Sequence, residues 1–151
     1  MRKYLLVIIL LLSGCSVNLT VHDEDRAAQL VEKFLMDIQT TNGANVAYEW
    51  TNEQFKKSVP RDRFDELINK VRQFNSGAVI KIVGYETLGT EEVIIIYGIS
   101  KKERNNVFYR FTLLGTKTKD YSLLNINLRD TEHKKGGLYR EFAKPVEVLG
   151  V

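Results

Sequence analysis

Apolar residues recur at three- and four-residue spacing in the first part of the chain, which is the period of an amphipathic α-helix. This stripe consists of Ala27, Leu30, Val31, Phe34, Leu35 and Ile38. Asp23 or Asp25 can cap the start of the helix, and Asn42-Gly43 is a suitable stop. The pattern therefore predicts a helix that begins near Asp25 and ends before Gly43.

A short helical piece and a further full helix follow. The short piece is predicted around 45–50, and Thr51 with Gln54 fits a capping box for a turn that carries Phe55. Pro60 suits the first turn of the next helix, which residues 75–77 end. The apolar stripe of that helix is Phe64, Leu67, Ile68, Val71 and Phe74.

Beyond Gly77 the segments are rich in β-branched and aromatic residues, which predict strands. These segments are 78–88, 92–100, 107–114 and 121–128, and 146–149 offers a further short strand. The second is apolar on both faces, so we expect it to be central or to line a closed pocket. Short connections favour an antiparallel meander. Since helices precede strands, we expect an α+β domain with N-terminal helices packed on a curved antiparallel sheet of four or more strands.

The first fifteen residues indicate a cellular compartment. The basic start Arg2-Lys3 precedes an uncharged stretch, 4–12, which is shorter than the roughly 20 residues that span a bilayer. A basic start and a short apolar core are typical of a secretory signal. Residues 12–15 read Leu-Ser-Gly-Cys and resemble the lipobox of bacterial lipoproteins. The resemblance implies cleavage before Cys15 and a lipid on its thiol.

Charge and cysteine content narrow the possible functions. The chain has 22 Lys and Arg against 19 Asp and Glu, and two of the basic residues belong to the predicted signal. The near-neutral remainder gives no indication of nucleic-acid binding. One cysteine and two histidines form neither an internal disulfide nor an ordinary structural zinc site, so we predict no metal and no cofactor. The remaining charge is uneven, because 21–100 is net acidic and 101–144 is net basic.

A second resemblance concerns the domain itself. The residues that carry it are Ala47-Tyr48, Phe55-Lys56, Val59, Phe64 and Leu67. They resemble small exported domains of the nuclear-transport-factor-two-like, or cystatin-like cone, superfamily. The resemblance implies an N-terminal helix, an Ala-Tyr helix, a Phe-Lys turn and a third helix, followed by a bent antiparallel sheet that closes a cone. It covers roughly 25–128 and says little about function.

The two resemblances divide the chain into four parts. Residues 1–14 are a lipoprotein signal peptide, and 15–24 are the lipidated Cys and a polar tether that carries an exposed His22. Residues 25–128 form the cone-like α+β domain, and 129–151 are a C-terminal extension. Ser16 after the lipidated Cys resembles the outer-membrane default of Gram-negative lipoproteins; in a Gram-positive host the site would be the outer face of the cell membrane. We therefore expect a cell-envelope protein that is anchored in the outer membrane through lipid on Cys15 and faces the periplasm.

Candidate catalytic residues are few. The cone superfamily includes enzymes that use a Tyr and a carboxylate inside the cone, so Tyr85, Tyr97 and Tyr109 are candidates for a pocket. The alternative is that these are core residues with hydroxyls near the rim. Glu86 and Glu92 are the acids on the β segments. Both lie beside a turn, where we expect solvated carboxylates.

Basic residues should collect at one end of the sheet, because alternate connections of a meander lie at the same end. The residues that this brings together are Lys101, Lys102, Arg104, Arg129, Lys134 and Lys135. Clustered charge of one sign can steer an anionic partner. The alternative is a pair of solvated loops. His133 lies in the same Lys-rich segment, where we expect an exposed imidazole without a catalytic role.

These patterns favour a lipid-anchored cell-envelope domain that binds without catalysis, as an accessory or assembly factor or around a small-molecule pocket. The expected partners are the membrane, through lipid on Cys15, and an anionic envelope component or protein, with no nucleic acid. Two alternatives stay open. One is a small cone-fold enzyme with a Tyr/carboxylate pocket, and the other is a surface immunity or exclusion factor.

Overall fold

The computed structural model describes residues 19–102 and 105–150, so Cys15 and Arg104 lie outside the described residues. Four helices come first: α1 (Glu24–Asp37), α2 (Gly43–Glu49), α3 (Glu53–Ser58) and α4 (Arg61–Asn75). Five strands follow: β1 (Val79–Thr87), β2 (Val93–Lys102), β3 (Asn105–Leu114), β4 (Ser122–Arg129) and β5 (Tyr139–Leu149). The predicted α+β fold, with helices before an antiparallel sheet, is confirmed.

Local side-chain chemistry sets the helix boundaries. Asp23 caps α1, because its Oδ1 accepts a hydrogen bond from the Arg26 amide at 3.0 Å. The cap of α3 is Asn52, whose Oδ1 accepts from the Gln54 amide at 2.8 Å. The predicted cap Thr51 instead donates its hydroxyl to the Tyr48 carbonyl at 2.7 Å, so the capping-box prediction is wrong by one residue.

The strand order is β4-β3-β2-β1-β5, and every neighbouring pair is antiparallel. β2 is central, as its apolar sequence predicts, and residues 94–97 are all buried. β5 pairs with β1 from Tyr139↔Glu86 to Leu149↔Val79. The segment 129–151, treated above as an extension, therefore supplies an edge strand of the same sheet.

One face of the sheet, the helix face, packs against the helices and holds the hydrophobic core. Phe64 of α4 is fully buried, and its ring centroid lies 5.0 Å from that of Tyr48 and 6.4 Å from that of Phe34. Phe34 in turn meets Phe111 of β3 at 6.4 Å, which joins helices to sheet. Phe74 departs from the predicted apolar stripe, because its side chain is 51% exposed near the end of α4.

The opposite face of the sheet, the outer face, is crossed by residues 130–138, which we call the strap. β4 ends at Arg129, paired with Phe108 of β3, and β5 begins at Tyr139, paired with Glu86 of β1. The strap therefore passes from one edge of the sheet to the other above β3, β2 and β1. Within the described ranges, no helix is both long and apolar enough to cross a membrane.

Candidate functional site

A buried carboxylate lies beneath the strap. Glu86 of β1 is 7% exposed, and its Oε2 accepts hydrogen bonds from the Tyr97 hydroxyl at 2.7 Å and the Gly136 amide at 3.0 Å. The expectation of a solvated Glu86 beside a turn is wrong, because the strap returns over the end of β1 and covers it. The carboxylate joins the strap to two strands of the sheet.

The electrostatics keep the Tyr97 hydroxyl protonated. Burial, followed by the hydrogen bond to Glu86 and its negative charge, raises the pKa of Tyr97 well above its usual value. Arg110, the cross-strand partner of Tyr97 on β3, acts in the opposite direction. The Tyr97 hydroxyl therefore stays protonated and donates its hydrogen bond to Glu86. Nε of Arg110 is buried without a hydrogen-bond partner among the described residues.

The strap approaches Glu86 so closely that a side chain at position 136 would displace the carboxylate. A Cβ there would lie 1.8 Å from Oε1 of Glu86. At the neighbouring Gly137, an added Cβ would meet no atom within 4 Å. The close contact with the carboxylate therefore affects position 136 and not position 137.

His133 is a buried polar residue of the strap. Its Nε2 lies 3.2 Å from the Phe108 carbonyl oxygen, and its ring centroid lies 6.4 Å from that of Tyr97. Burial, with a contribution from the positive charges of Arg129 and Arg110, lowers the pKa of His133. The expectation of an exposed imidazole is wrong, since the ring points inward. A cavity of about 60 Å³, large enough for water, lies beside it against Tyr97 and Phe108.

Tyr97 and Tyr109 both line the cavity of about 60 Å³ beside His133, whereas Tyr85 does not. Tyr97 lies on the outer face, while Tyr85 and Tyr109 lie on the helix face. Tyr85 donates to Glu24 Oε1 at 3.3 Å, and the Tyr109 hydroxyl donates to Asn75 Oδ1. Burial is the largest cause that raises the pKa of both hydroxyls. Both tyrosines are part of the core or pack against it, and the Tyr109 hydroxyl is buried rather than near the rim.

The structure brings part of the candidate basic set to one end of the sheet, where β2 turns into β3. We call it the hairpin end. Lys101 and Arg129 are both exposed there, and their strand pairings place them on the outer face two strands apart. By the usual strand spacing their Cα atoms are separated by about 12 Å. The side chains of Lys102 and Arg104 lie outside what the structure describes.

The strap lysines differ from each other. Lys135 forms an ion pair with Glu132 at 2.7 Å, and its Nζ lies 4.4 Å from the Tyr139 ring centroid. Glu132 and Tyr139 both contribute to a raised pKa of Lys135. Lys134 is exposed and makes no ion pair with another described residue. Of the described members of the basic set, Lys101 and Arg129 therefore form an exposed pair at the hairpin end, with Lys134 nearby. Lys135 is instead paired with Glu132 inside the strap.

Residues 20–23, expected to be part of a free tether, are bound to the opposite end of the sheet, which we call the tether end. The Thr20 hydroxyl donates to the Thr90 carbonyl at 2.7 Å, and the Lys117 amide donates to the Val21 carbonyl at 2.9 Å. The Asp23 amide donates to the Tyr121 hydroxyl at 2.8 Å. The segment thus joins the turn after β1 to the loop after β3.

His22 belongs to this docked segment and is buried, contrary to the expectation of an exposed tether residue. Its ring stacks against Tyr121, with centroids 6.2 Å apart, and its Nε2 lies 3.2 Å from the Glu91 carbonyl oxygen. The sequence signal for this docking is the alternation of Leu19 and Val21 with Thr20 and His22, which is typical of an extended segment with one bound side.

A groove of about 380 Å³ lies between α1 and the loop after β3. Its aromatic walls are already covered by cations, since Lys33 Nζ lies 4.1 Å from the Trp50 ring centroid and Arg26 lies 5.2 Å from that of Tyr121. On the helix face, the gap between α1 and the sheet measures only about 10 Å³. The core beneath the helices is therefore packed rather than hollow.

No described group of three or more His, Cys, Asp or Glu side chains is arranged to hold a metal ion. Comparison with known proteins gives no match to a family model, to a curated protein or to a solved structure. The functional argument therefore depends on the chain's own residues.

Proposed function

We propose that this chain is a lipid-anchored cell-envelope domain that acts by binding rather than by catalysis, in the outer membrane and facing the periplasm. The observation that carries the proposal is the Leu-Ser-Gly-Cys sequence at 12–15, which follows a basic start and a short apolar core. Thr20, only five residues after Cys15, is already hydrogen-bonded to the body of the domain. A folded domain that starts directly after a lipidated Cys is suited to display at a membrane surface.

The binding surface in this proposal is the hairpin end. Lys101 and Arg129 present exposed positive charge there, on the outer face of the sheet. The tether end lies about 26 Å away along β3, at the usual rise of ~3.3 Å per residue. A partner that binds Lys101 and Arg129 is anionic, such as a cell-wall polymer, a phosphorylated glycolipid or an acidic protein surface.

One observation favours the alternative of a cone-fold enzyme, namely the buried Glu86–Tyr97 pair. A general acid or base must reach a substrate proton. Here the carboxylate oxygen nearest Tyr97 also accepts the Gly136 amide, and the strap lies above it. The pair is better suited to fastening the strap than to proton transfer, which supports the binding function over the enzyme.

The test compares binding of a purified chain that begins at Ser16, and so lacks the lipid anchor, to cell-wall sacculi and to phosphatidylglycerol vesicles, two anionic envelope materials. Lys101→Glu with Arg129→Glu should abolish binding to the material that the hairpin end recognises. The wild-type interaction should weaken steeply with salt, because exposed charges are screened beyond about 10 Å at 0.1 M.

The matched control is Lys57→Glu with Arg63→Glu, which changes the net charge equally at exposed positions on α3 and α4. This variant should bind like the wild type. Equal retention of both double variants at low salt would remove the hairpin end from the proposed function.

A further inference from the structure

Two large apolar side chains project into solvent from the docked N-terminal segment. Thr20 and His22 point toward the body of the domain, whereas the alternate residues Leu19 and Val21 are 68% and 61% exposed. Leu88, in the turn after β1 to which Thr20 is bonded, is a third exposed apolar residue at this end. The tether end therefore carries a small apolar surface that consists of Leu19, Val21 and Leu88.

The chain itself determines what lies next to this surface. From Cys15 to Thr20 there are five residues, which span at most about 18 Å when fully extended. Thr20 is fixed to the domain through the Thr90 carbonyl. If the thiol of Cys15 carries lipid, as the proposed function states, the acyl chains enter the bilayer within that distance of Leu19 and Val21.

We propose that the tether end lies directly on the membrane that holds the acyl chains, with Leu19 and Val21 inserted among the lipid headgroups and Leu88 at the rim. This inference rests on the proposed lipid anchor and adds an orientation to it. Apolar side chains gain free energy by leaving water for the membrane interface. The hairpin end, with Lys101 and Arg129, then points away from that membrane.

The charges at the tether end identify the contact as apolar rather than electrostatic. Lys117 is exposed there, but so are Glu91 and Asp120. Lys119 is engaged in an ion pair with Glu92. Charges of both signs give no preference for an anionic surface. The contact should therefore form on uncharged phosphatidylcholine and persist at high salt.

The test uses the lipidated full chain in phosphatidylcholine vesicles. Cys15 is the only cysteine, and lipid occupies its thiol, so Val21→Cys provides one free thiol for an environment-sensitive NBD label. Leu88→Cys is a second labelling site at the same end. Lys101→Cys at the hairpin end is the matched control, since it is also an exposed residue.

The expected result is a blue-shifted emission from the label at 21, with loss of emission when the vesicles contain lipids with a doxyl quencher high on the chain. The label at 88 should show a smaller effect in the same direction, and the label at 101 should show none. These signals should not change between low and high salt.

The outcomes separate this inference from the proposed anchor. A chain that carries no lipid by mass spectrometry and does not float with the vesicles would overturn the anchor, and the orientation with it. A lipidated chain that floats, but whose labels at 21 and 88 emit like the label at 101, would leave the anchor in place and overturn the membrane contact alone.

Discussion

Gly136 is where the strap meets the buried carboxylate of Glu86, which occupies the position of an added Cβ. A methyl group at 136 would lie 1.8 Å from Oε1, so either the strap or the carboxylate must move. Either movement disturbs the hydrogen bonds from the Gly136 amide and the Tyr97 hydroxyl, and a buried carboxylate without partners is costly.

Gly136→Ala should therefore lower the free energy of unfolding by roughly 1–3 kcal/mol, the range for an overpacked or unsatisfied buried site. Gly137→Ala is the matched control, because an added Cβ there meets nothing within 4 Å. Urea unfolding followed by circular dichroism measures both. Equal stability of the two variants would mean that the strap is not fastened at Glu86.

His133 makes the strap sensitive to pH in a defined direction. Its pKa in the folded protein is lowered, chiefly by burial, so the unfolded chain binds the proton more readily. The stability that the neutral imidazole gives the folded protein is fully present above the unfolded pKa of about 6.5. It is lost as the pH falls below that value.

The comparison with His133→Gln isolates the imidazole, since glutamine keeps an amide donor for the Phe108 carbonyl. The stability advantage of the wild type over this variant should shrink as the pH is lowered from 7 to 5. Thermal unfolding at both pH values provides the measurement. A constant advantage would show that His133 does not resist protonation in the folded state.

The burial of Glu86 and His133 could not be predicted from the local sequence. Glu86 lies near the end of a predicted strand, beside a turn, a context in which carboxylates are usually solvated, and His133 lies among lysines. Both are covered because the strap returns across the outer face from β4 to β5. The contact between Gly136 and Glu86 joins residues 50 positions apart, and periodicity does not report such contacts.

At the scale of the elements, α4 is held to the sheet by one side of its surface. Phe64 is completely buried among the rings of Phe34, Tyr48 and Phe55. Phe74, on the same helix, is 51% exposed. This pair of phenylalanines gives a direct test of which side packs.

Phe64→Ala should lower the free energy of unfolding by roughly 3–5 kcal/mol, as expected for a fully buried Phe. Phe74→Ala should cost less, because about half of the surface of Phe74 stays in water on folding. Chemical denaturation of a variant that begins at Ser16 measures both changes. A Phe64→Ala protein as stable as Phe74→Ala would contradict the packing of α4 on the sheet.

Periodicity predicted the helices and the first four strands, because each has its own apolar stripe or β-branched run. β5 was predicted only as the short segment 146–149, whereas the strand spans Tyr139–Leu149. Most of its residues are exposed, and Pro145 lies within it, which is tolerated on an edge strand. β5 has no continuous β-branched run of its own, and its backbone pairing with β1 holds it in the sheet.

For the whole molecule, the two ends of the sheet have different chemistry. The tether end holds the docked N-terminal segment with exposed Leu19 and Val21, and the hairpin end holds exposed Lys101 and Arg129. The sequence predicted the basic hairpin end from the order of the strands. It did not predict the docking of residues 20–23, because this depends on the Thr90 carbonyl and the Lys117 amide, which lie in two loops far along the chain.

Lipid attachment at Cys15 is the central claim, and metabolic labelling with radioactive palmitate in a bacterial host tests it most directly. The wild-type chain should incorporate label and sediment with the outer membrane. Cys15→Ala should incorporate none and remain an uncut precursor with residues 1–14 attached, because the lipobox peptidase requires the modified Cys. Label that still enters the Cys15→Ala protein, or wild type that osmotic shock releases in full, would contradict the account.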